Sequence, residues 1–253
     1  MKNTKISWCD HTFNVVTGCY HTCPYCYARR MAERFSDGEQ DGVGVRVHLL
    51  DEPLVNGDGK KMPYPYGFEP TFHRYRLEQV ENMKNWKPSN IFICSMADLF
   101  GRWVPDEWLT EIFETLKRAP MHNYLFLTKN PERYCELNEK NLLPTESNFW
   151  YGTTVTRPDD TYFYSDERNT FLSIEPILEH FGWRGCVWTD WVIVGAETGN
   201  RKDKVIPEKR WMDGIIKSCD DAGVPVFLKE SLAPYFEDGL RQELPTGLKG
   251  REK

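Results

Sequence analysis

The 253-residue chain has no run of eighteen apolar residues, so no stretch is long enough to read as a membrane-crossing helix. Its opening residues, Met1-Lys2-Asn3-Thr4-Lys5, lack the apolar core of a secretory signal. A cytoplasmic protein with no membrane partner is the expectation. Basic excess is also missing. Lys and Arg number 32 against 38 Asp and Glu, a formal charge of −6, which argues against coating nucleic acid by bulk charge and leaves room only for a local basic groove. No internal sequence repeat is evident. The eight cysteines do not fall into the two separated pairs usual for structural zinc. A chain of this length buries a sizeable core without disulfide staples.

What the sequence does have is Gly18-Cys19-Tyr20-His21-Thr22-Cys23-Pro24-Tyr25-Cys26-Tyr27. The spacing is C-x3-C-x2-C. An iron–sulfur cube has four irons, each wanting one outside ligand. Three cysteines leave one iron open to a substrate or cofactor. Phe13–Thr17 reads as a strand, Gly18 as the turn, and Pro24 suits the first position of a helix over Tyr25–Phe35. Tyr27, Met31 and Phe35 make its expected apolar stripe. The helix N-terminus favours an anionic thiolate cluster. Zinc is the competing reading, with Cys9 or His21 as a fourth ligand. Cys9 otherwise reads as a packed thiol, as do Cys94, Cys135, Cys186 and Cys219 as core or surface thiols.

Downstream, apolar runs alternate with helical segments. Strands are expected at Asn90–Ser95, Tyr124–Thr128, Phe149–Thr154, Thr170–Ile174, Trp191–Gly195 and Val224–Leu228. Helices are expected at Arg74–Trp86, Asp106–Arg118, Pro131–Glu139, Asp159–Arg168 and Pro207–Ala222. Strands apolar throughout, such as Ile91-Phe92-Ile93-Cys94, belong in a parallel sheet covered on both faces. The architecture is therefore α/β, a barrel or an open doubly wound sheet. Residues 1–236 are expected to form a single domain. Ser36–Pro70, rich in Gly and Pro, reads as an insertion after the first helix, a lid or a surface excursion, with Val43–Leu50 in a small hairpin. Glu237–Lys253 reads as a loosely held tail.

In such sheets functional groups gather where the strands end. The ends here supply Cys19; Ser95 and Asp98; Thr128 and Lys129; Thr153 and Thr154; Glu175; Glu197; Lys229 and Glu230. Polar residues capping otherwise apolar strands point to one shared cavity. The alternative is a ring of ion pairs closing the barrel mouth, such as Lys129 with Glu175.

The cysteine motif, with aromatic Tyr25 before its third cysteine, resembles the radical S-adenosylmethionine superfamily. A nearer resemblance is to the phage-associated three-Cys-motif family. It rests on Trp8-Cys9-Asp10, Thr17-Gly18-Cys19, Ser95–Gly101, Leu172–Pro176 and Val192–Gly199, and spans residues 5 to 232. The resemblance implies a complete or partial parallel (β/α) barrel. It implies a [4Fe-4S] cluster on Cys19, Cys23 and Cys26, with S-adenosylmethionine on the open iron and adenine beside the Tyr25 peptide. The superfamily's Gly-Gly-Glu motif is missing, and Ser95 and Asp98 stand nearest its place. Thr153 and Thr154 would meet the methionine carboxylate or ribose. Gly195 and Glu197 would lie on an adenine-contacting strand. Lys129, Glu175 and Lys229 would act as catalytic groups that orient substrate or move protons. The partners implied are an external one-electron reductant of flavodoxin or ferredoxin type and a nucleotide or nucleic acid substrate. Arg29, Arg30, Arg34, Arg74 and Arg76 are candidates to meet phosphates, and solvated helix faces, the favoured reading, explain them as well. A peptide or small metabolite is another possible substrate, and a zinc-stabilised non-enzymatic binding module is the alternative function.

Overall fold

The computed structural model describes residues 4–36, 44–182 and 188–248. A seven-stranded sheet, parallel throughout, curls into a half-barrel. Its strands run β1 (His11–Phe13), β5 (Asn90–Ile93), β6 (Asn123–Thr128), β7 (Phe149–Val155), β8 (Asn169–Ile174), β9 (Val192–Val194) and β10 (Val226–Leu228), in that spatial order. Between them lie α1 (Tyr27–Arg34), α2 (Gln79–Met83), α3 (Asp106–Leu116), α4 (Glu132–Glu139) and α5 (Lys209–Ala222). A second sheet, in the order β2 (Val16–Thr17), β4 (Thr71–His73), β3 (His48–Leu50), flanks the first.

Side chains alternate across each strand, so each strand feeds two apolar layers. On the outer face, Ile91, Ile93, Tyr124, Phe126, Phe149 and Tyr151 pack with Ile112, Phe113, Tyr134 and Leu137 of α3 and α4. Farther along, Leu172, Ile174, Val192, Val194, Val226 and Leu228 pack with Met212, Ile215 and Cys219 of α5. The inner, concave face carries Phe92, Leu125, Trp150, Phe171, Ile193 and Phe227, with Trp8 and Trp191 among them. Burial on both faces is why these strands lack the apolar–polar alternation of a half-exposed sheet. Gly152 is required on the inner face, because a Cβ there would stand 2.2 Å from the Phe171 ring.

Five expectations change. The strand expected over Phe13–Thr17 divides: His11–Phe13 joins the large sheet and Val16–Thr17 the small one. His48–Leu50 pairs in parallel with Thr71–His73 rather than within a local hairpin, while residue 43 lies outside the described residues. Arg74–Trp86 shortens to a 3-10 turn, Arg74–Glu78, followed by α2. Asp159–Arg168 forms no helix. There the Asp160 carboxylate accepts from the Thr156 and Arg157 amides and the Thr156 hydroxyl, and local side-chain bonding of this kind competes with a helical turn. Finally, part of the segment expected as a loose tail is fixed. Glu243 accepts from the Val226 amide and from the Trp191 indole through its backbone carbonyl, and Leu248 is buried.

Candidate active site

The cysteine loop is tied down from three sides. Gly18 donates its amide to the Met96 carbonyl at 2.9 Å, and Cys19 donates to Phe68 O at 3.0 Å. Gly18 sits at φ +85°, and a Cβ would fall 2.2 Å from the Glu69 carbonyl oxygen. Both facts require glycine. From α1, Arg29 reaches back with Nη2 to the Cys19 and His21 carbonyls at 3.1 and 3.2 Å, and its guanidinium lies over the Phe68 ring. His21 holds Asp98 Oδ2 at 2.9 Å through Nε2.

Pro24 is not the first residue of α1. The helix starts at Tyr27, and Cys26 is its N-cap, with Sγ accepting the Arg29 amide at 3.3 Å. Cys19 Sγ accepts the His21 amide, also at 3.3 Å. The expected stripe faces the wrong way. Tyr27, Met31 and Phe35 are 49%, 43% and 55% exposed, while Ala28 and Ala32 pack toward Tyr64 and Phe68. Small residues let α1 approach that aromatic floor closely, so the periodicity was helical and the buried face was the small one.

Cys19, Cys23 and Cys26 line one cavity of about 260 Å³ at the strand ends. Burial pushes the Cys19 thiol up to about 12 and raises Cys23 too, where nearby Lys129 works against the rise. The same cavity is lined by Tyr25, Ser95, Asp98, Lys129, Thr154, Glu175, Glu197 and Lys229. Parallel strands delivering their ends to one face account for this convergence.

Two expected members behave differently. Thr153 points to the outer side, where its buried hydroxyl accepts the Phe163 amide. Its neighbour Thr154 faces the cavity, as strand alternation demands. Gly195 does its part indirectly. A Cβ there would stand 3.1 Å from Lys229 Cδ and 3.2 Å from Glu175 Cγ, so the glycine makes room for the Lys229–Glu175 ion pair beside it.

Partners decide what each polar group is free to do. Asp98 is buried, and both oxygens are occupied: Oδ1 accepts from Thr128 Oγ1 at 2.7 Å and Phe100 N at 3.0 Å, Oδ2 from His21 Nε2 and Lys129 N, both at 2.9 Å. This carboxylate braces the cysteine loop against β6 and has no acceptor site left for a ligand's amino group. Glu197 is gripped bidentately by Arg201, Nε at 2.7 Å and Nη2 at 2.8 Å, which holds its carboxyl below the usual range. Lys129 donates to the Tyr25 hydroxyl at 3.2 Å, and burial lowers its pKa. It pairs with Tyr25 here, while Glu175 takes Lys229. Ser95 Oγ donates to Asn14 Oδ1, and its carbonyl accepts from Tyr27 OH.

Sequence reasoning did not single out Arg201, Asn14 or a bracing role for Arg29. Arg201 follows Glu197 by four residues, a spacing that could have flagged the pair. The Arg29 contact carried no comparable signal.

The model of the family described as a protein of unknown function, DUF5131, matches residues 3–243. The chain belongs to this family. The family's description carries no phage association. No curated protein matches the chain in sequence. Among solved structures, the fold is similar to spore photoproduct lyase. A cysteine-to-alanine mutant with dinucleoside spore photoproduct matches with TM-score 0.53 and 11% identity, over 90% of this chain and 78% of that one. A cysteine-to-serine mutant gives 0.51 and 11%, and a tyrosine-to-phenylalanine mutant 0.50 and 10%, at the same coverage. At such identity the likeness speaks for fold alone. The fold is the partial parallel (β/α) barrel that the sequence led us to expect.

Proposed function

We propose that the chain is a radical S-adenosylmethionine enzyme acting on a nucleotide or nucleic acid. The observation that carries the reading is that, among the described residues, three thiols and not four line the half-barrel cavity. The donor set fits an iron–sulfur cube. Two of the sulfurs accept backbone amides, the kind of hydrogen bond that tunes such clusters. A cube spreads its ligands over separate irons, whereas a structural zinc draws four to one point. Among the described residues, no three His, Cys, Asp or Glu side chains gather as for a single ion, which weighs against the zinc-stabilised module.

Cys19, Cys23 and Cys26 would hold the [4Fe-4S] cluster, and Thr154, Glu197 and the Tyr25 peptide would contact S-adenosylmethionine. With an external one-electron reductant, that pair supplies a carbon-centred radical able to abstract hydrogen. The chain's own residues do the rest. Asp98, through His21, fixes the cysteine loop. Arg29 clamps its carbonyls. The Lys229–Glu175 pair stands at the cavity wall, where it would orient substrate, and Lys129 with Tyr25 would hold or move a proton at the phenol oxygen. Spore photoproduct lyase, a protein of similar fold, was solved with a dinucleoside spore photoproduct, and the substrate class proposed here is an analogy with it.

Anaerobic reconstitution tests the ligand set. Wild type should take up about four irons and four sulfides per chain. Cys19→Ala, Cys23→Ala and Cys26→Ala should each lose the cluster's absorption, and Cys9→Ala should keep it, since Cys9 is buried beside Ile6 at the inner face. Loss in Cys9→Ala as complete as in the other three would mean four protein ligands and no open iron.

A further inference from the structure

Two buried polar groups that line the cavity on the inner face of the half-barrel lack hydrogen-bond partners among the described residues. Ser173 lies on β8 between Phe171, in the inner cluster, and Glu175, at the cavity wall, so its side chain shares their face. It lines the cavity, is 0% exposed, and its hydroxyl has no hydrogen-bond partner among the described residues. Trp8 also lines the cavity at 3% exposure, its ring centroid 4.7 Å from that of Phe92 and 6.2 Å from that of Phe171, and its indole Nε1 has no partner among the described residues either. Buried donors are nearly always satisfied, so two orphans lining one cavity ask for a shared explanation.

We propose that Trp8 Nε1 and Ser173 Oγ form a substrate subsite at the floor of the cavity that takes a neutral, planar, carbonyl-bearing ring. This rests on the reading of the cavity as the substrate site and names the chemistry it selects. An indole N–H only donates, so the ligand presents an acceptor there. The surrounding Phe92, Leu127 and Ile6 carry no charge, and a charged group among them would be left unpaired. Flat aromatic walls suit a flat ring. The lactam edge of a nucleobase has this chemistry, and a free phosphate or carboxylate does not.

The test uses the full chain with 15N-labelled tryptophan, the Trp8 indole resonance assigned from Trp8→Phe. Uracil is the probe, and toluene, a flat ring without an acceptor, is the control. Uracil should shift the Trp8 indole N–H and toluene should not. Ser173→Ala should weaken uracil binding about tenfold, the worth of one hydrogen bond, without lowering the melting temperature, because it removes only an orphan hydroxyl. Trp8→Phe, which keeps the aromatic packing, should weaken it by a similar factor. The subsite is overturned if uracil leaves the indole unmoved, if both rings shift it equally, or if Ser173→Ala binds as wild type does. Cluster formation is read separately by absorption after anaerobic reconstitution. A responsive Trp8 in protein that assembles no cluster would keep the subsite and reject the radical enzyme.

Discussion

Asp98→Asn isolates the brace of the cysteine loop. The carboxylate accepts four hydrogen bonds, two on each oxygen, and two of the donors are backbone amides. An Asn side chain has one carbonyl oxygen and one NH2. If the NH2 replaces Oδ1, the Thr128 hydroxyl can rotate to accept from it, but the Phe100 amide is orphaned. If it replaces Oδ2, His21 can change tautomer and accept, but the Lys129 amide is orphaned. Either way one buried N–H loses its partner, at a cost of about 1–3 kcal/mol. For a chain of this size that is a fall in melting temperature of roughly 3–10 °C. Asp98→Ala orphans both amides and frees His21, so its fall should be about twice as large. Thermal unfolding followed by circular dichroism reads both values. Asp98→Asn melting within 1 °C of wild type, or the two variants melting together, would refute the accounting. It would then reopen Asp98 as a contact for the cofactor's amino group.

Other perturbations probe separate parts of the structure. Gly18→Ala should fold poorly or melt at least about 5 °C lower, because its Cβ meets backbone at 2.2 Å and the φ of +85° is strained for alanine; an unchanged melting curve would contradict the anchoring of the loop. Burial, reinforced by Arg76, brings His73 down to about 3, so its ring should stay neutral in NMR spectra from pH 8 to 5. Because the unfolded ring protonates below its ordinary value near 6.5, His73 should make stability fall as the pH drops from there toward 3, by about 1.4 kcal/mol per pH unit; a ring midpoint near 6.5 in the folded protein would contradict this. Arg201 holds the Glu197 pKa below its ordinary 4.5, so the stability deficit of Arg201→Gln in urea should be full above about pH 4.5 and shrink as the pH falls below it. An equal deficit at pH 3 and pH 7 would show that the ion pair is not its cause.

The sheet was legible because its strands are buried on both faces, and the runs at Asn90–Ile93 and Phe149–Val155 stand out from any surrounding pattern. The strand ends were legible for the same reason: a polar residue after an apolar run marks where the chain leaves the sheet. What failed was local. The face α1 buries is set by what lies beneath it, Tyr64 and Phe68, which are some forty residues away and invisible to a helical wheel. Thr153 and Thr154 look alike in sequence, and only the strand register tells which one enters the cavity. Asp98 read as a ligand contact because its partners, His21, Thr128 and the Phe100 and Lys129 amides, meet only in the fold. Asp160 ended a helix that composition favoured, by bonding to amides the helix would have used.

The most direct measurement is the reductive cleavage of S-adenosylmethionine by anaerobically reconstituted protein with dithionite. Wild type should release 5′-deoxyadenosine and methionine slowly even without substrate, and the Cys19→Ala, Cys23→Ala and Cys26→Ala variants should release none. Wild-type protein with a fully formed cluster that neither binds nor cleaves S-adenosylmethionine would contradict the assignment, leaving the three thiols of this cavity to hold an electron-transfer or structural centre.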